Sequence, residues 1–249
     1  MIKEEFFRLF NSKKPIIGMI HLAPGDSGVV EQAHKEMRIY EEYGVSGVII
    51  ENYHGTKRDV LNVLESLKKR RSEKLVIGIN ILPNEFSESI GWAKRYGAGF
   101  VQLDYVSGDY LEGELDYPRY LETRAGLNIS VLGGVFPKYY HPRNPSKLSY
   151  YLNLAKQRAE AVVVTGNGTG KETPIEKIIE FRETLGNDYP LVIGAGINLE
   201  NAKEQLKIAD GAIVGSFFKN NDTWNLIDET KVSELMDIVN GLIYTSGIN

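Results

Sequence analysis

The chain has no cysteine among its 249 residues, which excludes disulfides, thiolate metal sites and a cysteine nucleophile. It also has no excess of basic residues, because 29 Lys and Arg are balanced against 33 Asp and Glu for a net charge of −4. Nucleic-acid-binding domains normally carry a basic excess or stripe, so nucleic acid is not an expected partner. The hydrophobic content of 42% is ordinary for a globular protein.

Long apolar runs are missing as well, so we expect no membrane insertion. The first residues, MIKEEFFRLFNSKK, are too charged for a signal peptide, and the expected location is cytoplasmic. A phosphate-binding loop of the Walker A type is also absent. Gly170-Lys171 is followed by Glu172 where Ser or Thr is needed, so ATP hydrolysis by that route is not expected.

Short apolar runs alternate with helical patterns along the whole chain. Many of the runs are apolar at consecutive positions, as parallel strands covered by helices require. An eightfold alternation of this kind predicts the α/β class and a single-domain (β/α)8 TIM barrel over residues 1–249, with a doubly wound open sheet as the alternative. Residues 1–14 are expected to form a short helix that caps the barrel bottom. The predicted strands are Pro15–His21, Gly47–Asn52, Leu75–Asn80, Phe100–Asp104, Ile129–Val135, Ala161–Gly166, Leu191–Gly194 and Gly211–Gly215.

Two glycine turns lie close together near the end of the chain. Residues 191–219, LVIGAGINLENAKEQLKIADGAIVGSFFK, read as strand, glycine turn, short helix, strand and glycine turn. The loops after strands 7 and 8 of such barrels frequently bind a phosphate through backbone N–H groups. Because the feature occurs twice and in register, a phosphate site is favoured over glycines that only permit tight turns. The predicted phosphate-binding residues are Gly166, Gly194, Gly196, Gly215 and Ser216.

Ionisable side chains end three of the first four predicted strands, where the chemistry of such barrels takes place. His21 is a candidate general acid or base, or a metal ligand, with a hydrogen bond to a loop carbonyl as the structural alternative. Glu51 follows three buried β-branched residues, so burial is expected to raise its pKa into the range of a base. Asp104 ends its strand in the same way. An ion pair with a neighbouring loop is the alternative for Glu51.

The same three side chains could ligate a divalent cation as one histidine and two carboxylates. They lie far apart in sequence with no metal-binding spacing, and acid–base chemistry without a metal is at least as well supported. No cofactor is therefore required and no metal site is predicted, while a divalent cation is kept as an alternative.

Further candidates lie on the loops beyond the strands. Lys138 completes the predicted catalytic set, because its ammonium group could reach an anionic substrate. Asn52, Asn80 and Thr165 are predicted to bind substrate, although either asparagine could instead be a turn residue. Thr173-Pro174-Ile175-Glu176 reads as a capping box with proline at the first helical position.

The loops after strands 4 and 5 carry opposite charges and are neighbours in such a barrel. We predict that they pair across the rim as a lid, with two independently solvated loops as the alternative. The acidic loop carries Asp109, Glu112, Glu114 and Asp116, and the basic loop carries Lys138, His141, Arg143 and Lys147.

Between Pro15 and Lys219 the chain contains, in order, IIGMIHLAPGDS, GVIIENY, IGINIL, VVVTGNGTG and IGAGINLENAKEQLKIADGAIVGSFFK. Together these blocks resemble the BtpA/SgcQ family, whereas the last block alone is similar to many phosphate-binding barrels. The resemblance implies a barrel of the ribulose-phosphate-binding kind. One branch of that family is named for a role in building up photosystem I, and other bacterial members are described loosely as nucleosidases or sugar-related enzymes.

The first functional hypothesis is an enzyme that acts on a phosphorylated small molecule, a sugar phosphate or nucleotide-like compound, as an isomerase, lyase or nucleosidase. The second is a non-catalytic assembly or biogenesis factor for a membrane complex, which would bind through an exposed aromatic rim. A metal-dependent hydrolase is the third. A homo-oligomer is an open alternative, since outer helices of such barrels often pair in dimers. The proposed rim consists of Tyr105, Tyr110, Tyr117, Tyr139 and Tyr140.

Overall fold

Eight parallel strands close into one barrel in the computed structural model, which describes residues 3–70 and 74–246. Each strand pairs with the next, and the barrel closes where Ile16 of the first strand lies opposite Ala212 of the last. The predicted (β/α)8 barrel is confirmed, and the open-sheet alternative is wrong. The strands are β1 Ile16–Ile20, β2 Gly47–Glu51, β3 Val76–Asn80, β4 Phe100–Ser107, β5 Ser130–Val135, β6 Ala161–Val164, β7 Leu191–Ile193 and β8 Gly211–Val214.

Helices surround the barrel and bury their apolar stripes against it. On the first outer helix Ala33, Met37 and Tyr40 are buried, and Gly44 follows its end with φ +77°, a conformation that favours glycine. The helices of the described residues are α1 Lys3–Phe10, α2 Val29–Glu42, α3 Lys57–Leu67, α4 Phe86–Tyr96, α5 Tyr117–Arg124, α6 Leu148–Arg158, α7 Ile175–Leu185, α8 Ala202–Ile208 and α9 Glu229–Ser246, with 3-10 turns at Pro145–Lys147 and Ser216–Lys219. Within these bounds, no helix has the length and apolar character that crossing a membrane requires.

Helix α1 precedes the barrel and inserts two aromatic rings into it. Phe6 and Phe10 are buried in the cluster that fills the barrel interior, and the Phe10 ring lies 5.2 Å from the ring of Phe100. Phe10 also lies against Gly47 at the start of β2. The contacts place these rings at the amino-terminal end of the barrel, opposite the strand ends that carry the ionisable groups.

Strand β4 continues beyond its predicted end at Asp104 to Ser107. Its pairing with β5 shifts register between Leu103 and Ser107, which marks a bulge. Gly134 permits this, because a Cβ atom there would overlap the backbone oxygen of Asp104. The bulge therefore places Asp104 inside a strand, at the rim of the barrel.

The predicted capping box at the start of α7 is wrong. The helix begins at Ile175, and no side chain caps it. The buried Thr173 hydroxyl instead donates a hydrogen bond of 2.9 Å to the backbone oxygen of Ala195, in the loop after β7. A contact between two loops thus replaces the local cap.

Candidate active site

A cavity of about 130 Å³ opens at the carboxyl end of the barrel. Seven of the strands contribute residues to its wall, either from the strand or from the loop that follows it. Strand β3 contributes none of its own residues, but Leu82 of the loop after β3 lies in the wall. Carboxyl groups lie on one side, and glycines and hydroxyl groups on the other, as the order of the strand ends predicted. Of the predicted site residues the cavity is lined by His21, Glu51, Asp104, Lys138, Thr165, Gly194, Gly196, Gly215 and Ser216.

Glu51 and Asp104 are held together by one amide group. The side-chain nitrogen of Asn80 donates hydrogen bonds to Oε1 of Glu51 at 2.8 Å and to Oδ1 of Asp104 at 3.4 Å. Asn80 is fully buried, and its own oxygen Oδ1 has no hydrogen-bond partner. Three adjacent strands thereby present two carboxyl groups and an unpaired acceptor next to one cavity.

The surroundings of Glu51 and Asp104 raise the pKa of both carboxyl groups. Burial raises the pKa of Glu51 to about 7, and the negative charge of Asp104 adds to the rise, against the effects of Lys138 and the Asn80 hydrogen bond. Burial also raises the pKa of Asp104, opposed by hydrogen bonds from Tyr140 and Asn80. The expectation that burial raises the pKa of Glu51 is confirmed.

His21 lies in the same cavity as a neutral imidazole. It is 3% exposed, and Nδ1 has no hydrogen-bond partner. Burial, with the nearby positive charge of Lys219, holds the pKa of His21 well below its ordinary value. The ring lies 5.1 Å from that of Tyr53, and a Cβ at Gly215 would come within 2.6 Å of its Cε1 atom. Gly215 therefore leaves the space that the imidazole occupies.

The loop after β5 brings Lys138 to the cavity and is anchored to β6. The backbone nitrogen of Lys138 donates to the Thr165 hydroxyl at 2.8 Å. Lys177, from α7, donates to the backbone oxygens of Thr165 and Phe136 at 2.8 and 3.1 Å. Thr165 thus fixes the position of Lys138 as well as lining the cavity.

The loops after β6, β7 and β8 pack closely on the glycine-rich side. Gly196 has φ +78°, and a Cβ there would overlap backbone atoms of Lys171 and Glu172. Gly170 lies against Ser216, whose Cβ would be 3.0 Å from a Cβ at that position. These close backbone approaches explain why glycine recurs here, and they leave backbone groups along the cavity wall.

Three predicted site residues lie outside the cavity wall: Asn80, which bonds the two carboxyl groups from behind it, Asn52 and Gly166. Asn52 exchanges hydrogen bonds with the backbone of Leu82, at 2.8 and 3.4 Å, and so connects the loops after β2 and β3. Gly166 packs against Glu172, whose backbone oxygen a Cβ at Gly166 would overlap. The structure therefore gives Asn52 and Gly166 contacts between loops rather than contacts with the cavity.

Three loops meet above the cavity at Thr169. Its backbone nitrogen donates to the Tyr139 hydroxyl at 2.9 Å, and its own hydroxyl accepts from Tyr53 at 3.3 Å and from Tyr139 at 3.1 Å. Neither Thr169 nor Tyr53 was among the predicted site residues. The available signal was that both residues carry a hydroxyl group and lie within a few positions after the end of a predicted strand.

The predicted pairing of the acidic and basic loops is confirmed. Glu112 accepts from the backbone and ring nitrogens of His141 at 2.9 and 2.6 Å, and this contact lowers the pKa of Glu112 to about 2. Arg143 lies 3.3 Å from Asp109. The pairing fixes the loop that carries Lys138 against the loop after β4.

The exposed tyrosine rim proposed for partner binding is wrong for two of its five members, whereas Tyr139 is exposed and Tyr117 and Tyr140 are partly exposed. Tyr105 and Tyr110 are buried, at 8% and 1% exposure, because the loops after β4 and β5 fold over them. Tyr140 stacks edge-on against Tyr105 at 5.0 Å and donates to Oδ2 of Asp104 at 2.8 Å. Its hydroxyl group therefore belongs to the carboxyl cluster, a contact the sequence analysis missed.

His21, Glu51 and Asp104, the residues of the divalent-cation alternative, are not grouped as metal ligands. Over residues 3–70 and 74–246, no three His, Asp or Glu side chains are grouped so that they could hold one metal ion. His21, Glu51 and Asp104 share a cavity without forming such a group. The donor set that the divalent-cation alternative requires is thus not provided by these three residues.

The chain belongs to the BtpA family, whose sequence pattern matches residues 12–241. It is 30% identical to an uncharacterized protein of Archaeoglobus fulgidus over 257 residues, covering 92% of this chain and 100% of the relative. It is also 25% identical to the photosystem I biogenesis protein BtpA of Synechocystis, covering 94% and 90% of the two chains. The family resemblance seen in the sequence is confirmed.

Solved structures resemble this chain in fold. N-(5'-phosphoribosyl)anthranilate isomerase from Pyrococcus furiosus superposes with a TM-score of 0.61 at 16% identity, covering 92% of this chain and 99% of the other. Orotidine 5'-phosphate decarboxylase from Pyrococcus horikoshii superposes with a TM-score of 0.62 at 16% identity, covering 91% and 99%. At such identities the likeness concerns the barrel alone.

Proposed function

We propose that this chain is an enzyme that acts on a phosphorylated small molecule. The phosphate group would bind to the glycine-rich turns after β7 and β8, and the reacting part would lie against Glu51 and Asp104. The observation that carries the proposal is the cavity itself, whose wall includes the carboxyl groups of Glu51 and Asp104 as well as the two glycine turns. Buried acids with shifted pKa values in a cavity are typical of catalytic sites.

An unpaired polar atom at the cavity supports binding of a ligand. Nδ1 of His21, a residue that lines the cavity, is buried and has no hydrogen-bond partner among the described residues, although buried polar groups are normally paired. The names of the two enzymes with similar barrels each include a 5'-phosphate or 5'-phosphoribosyl group, which is consistent with a phosphate at this end of the fold.

The test is a thermal-shift series with inorganic phosphate, ribose 5-phosphate and nucleoside monophosphates, each sugar or nucleotide beside its dephosphorylated counterpart. A ligand at about 100 times its dissociation constant stabilises the folded state by about 2.7 kcal/mol, which raises the melting temperature clearly. The expected result is a rise that requires the phosphate. Equal shifts with and without phosphate, or none at all, would contradict the proposed phosphate site.

A pair of variants at Ser216 locates the site. Ser216→Asp places a negative charge beside the glycine turns, whereas Ser216→Asn introduces a neutral side chain of nearly the same size. Repulsion between like charges should abolish the phosphate-dependent shift in the first variant only. Equal loss in both variants would indicate that side-chain volume at this position, rather than charge, prevents binding.

A non-catalytic assembly role is the second candidate, and the name of the Synechocystis relative favours it. The burial of Tyr105 and Tyr110 removes much of the surface through which the sequence suggested such binding. Glu51→Gln and Asp104→Asn separate the two functions. Full complementation of a deletion strain by both variants would favour the assembly role, and loss of complementation with an intact fold would favour the enzyme.

A further inference from the structure

The two carboxyl groups of the candidate active site receive unequal numbers of hydrogen bonds. Asp104 accepts from Tyr140 at 2.8 Å on Oδ2 and from Asn80 at 3.4 Å on Oδ1. Within residues 3–70 and 74–246, the Glu51 carboxyl group accepts one hydrogen bond, from Asn80 at 2.8 Å on Oε1. Hydrogen bonds donated to a carboxylate favour its ionised form, so this pattern stabilises the negative charge on Asp104 more than on Glu51.

The difference in burial also favours a proton on Glu51 and a negative charge on Asp104. Glu51 is 7% exposed, whereas Asp104 is partly exposed at the rim of the barrel. Removing a charge from water is unfavourable, so the more buried acid retains its proton more readily. The negative charge of Asp104 also disfavours ionisation of Glu51, because like charges repel.

The other titratable groups near the pair come from three sides. Lys138, on the loop after β5, acts on both acids and favours ionisation. His21, at the end of β1, is neutral because its pKa is well below the ordinary value. Tyr105 lies next to Asp104 in the chain, and its pKa is raised by burial, so it is uncharged at neutral pH. None of these groups reverses the order in which the two acids hold a proton, with Glu51 retaining it more readily than Asp104.

The Tyr140 ring is held in place by aromatic neighbours. It lies 5.0 Å from the ring of Tyr105 and 5.8 Å from that of Tyr110. Asn84 exchanges two hydrogen bonds of 3.1 Å with the backbone of Tyr105, and these fix the strand next to Asp104. The Tyr140 hydroxyl is therefore positioned by packing, independently of any ligand.

We propose that Glu51 and Asp104 share one proton at neutral pH, that Glu51 holds it as the general acid, and that Tyr140 is the positioning residue that keeps Asp104 ionised. The assignment rests on the proposed enzymatic function and deepens it. In catalysis one proton passes from the Glu51 carboxyl to a substrate oxygen and leaves a carboxylate, while Asp104 accepts a proton from the substrate. Two acids in different surroundings thus take opposite roles.

The test measures protonation directly and needs no ligand. Side-chain carboxyl carbons are labelled with ¹³C in glutamate only or in aspartate only, and the full chain is titrated by NMR. Glu51→Gln assigns the Glu51 signal and separates it from Glu36, another buried acid with a raised pKa. Asp104→Asn assigns the Asp104 signal. Because glutamate and aspartate are labelled separately, the signals of Glu51 and Asp104 are observed in separate wild-type samples, and the two variants identify them.

Wild-type protein should show a Glu51 carboxyl that loses its proton near pH 7, with Asp104 ionised throughout the neutral range. Tyr140→Phe removes the hydroxyl donor and should raise the pKa of Asp104 by about one pH unit, since a hydrogen bond to a charged group has at least that strength. Tyr139→Phe is the matched control. Its hydroxyl bonds to Thr169 and not to a carboxyl group, so the titration should not change.

The proposal is overturned if Asp104 rather than Glu51 is protonated at neutral pH, or if Tyr140→Phe titrates like the wild type. Either outcome leaves the phosphate-dependent thermal shift untouched. Conversely, absence of a phosphate-dependent shift with the predicted titration would contradict the proposed function and keep the proton assignment. The two experiments therefore fail independently.

Discussion

At the scale of single residues, the burial of Glu51 links function to stability. In the folded chain the Glu51 carboxyl group holds its proton up to about pH 7, whereas in the unfolded chain it loses the proton near the ordinary pKa of 4.5. Between these values the folded state binds more protons than the unfolded state, so this group's contribution to stability falls as pH rises through that window. Above about pH 7 Glu51 is ionised in both states, so the destabilisation by its buried charge no longer changes with pH.

Glu51→Gln should remove this dependence while keeping the shape of the side chain. We expect its free energy of unfolding, relative to wild type, to rise by about 3 kcal/mol between about pH 4 and pH 8, an upper value because the pair is coupled. Urea denaturation at several pH values measures it. The control is Glu88→Gln, whose carboxylate pairs with Lys57 at the surface and should show no such rise. Parallel pH profiles for wild type and Glu51→Gln would contradict a raised pKa.

At the scale of elements, the loops after β6 and β7 are built against each other. Gly196 and Gly44 both have positive φ, at 78° and 77°, but only Gly196 has neighbouring atoms where a Cβ would lie. Alanine at a positive φ costs about 1–2 kcal/mol. The two glycines therefore share a positive φ and differ in packing.

Gly196→Ala should destabilise the fold by about 1–3 kcal/mol more than Gly44→Ala, because the new methyl group must displace the backbone of Lys171 and Glu172. The same displacement should weaken the phosphate-dependent thermal shift, which Gly44→Ala should retain. Chemical denaturation and the thermal-shift series measure the two effects. Equal behaviour of the two variants would show that the loop contact is not important for either property.

At the scale of the whole molecule, the two ends of the barrel have separate tasks. Helix α1 fills the amino-terminal end, where Phe6 is fully buried, and the cavity occupies the carboxyl end. Residues at the amino-terminal end of such barrels serve stability, and those at the carboxyl end serve chemistry. Substitutions at one end should therefore leave the properties of the other unchanged.

Phe6→Ala should lower the free energy of unfolding by about 3–5 kcal/mol, since it empties space inside the barrel. Phe7→Ala is the control on the same helix, because Phe7 is only partly buried and should cost clearly less. At temperatures where Phe6→Ala is folded, the phosphate-dependent thermal shift should persist. Loss of that shift in a folded Phe6→Ala protein would contradict the separation of the two ends.

The glycine turns and the position of Glu51 were predictable, since apolar runs and their ends are local features of the sequence. The hydrogen bond between Tyr140 and Asp104 was not, because it joins a residue at a strand bulge to a loop residue 36 positions further along the chain. Thr173 shows the same limit, since its hydroxyl bonds to Ala195 across a gap of 22 positions instead of capping the next helix.

The sequence by itself determined the barrel, the approximate strands and the end at which the ionisable groups lie. Hydrophobic periodicity and glycine position are short-range signals, and eight repeats of one unit reinforce one another. Tertiary structure alone decided which side chains meet, which are buried and how their pKa values shift. The register shift after Leu103, the loop that covers Tyr105 and the shared amide of Asn80 depend on backbone contacts between distant segments. Proton affinity in the cavity follows from that packing, because burial and neighbouring charge exist only once the chain has folded.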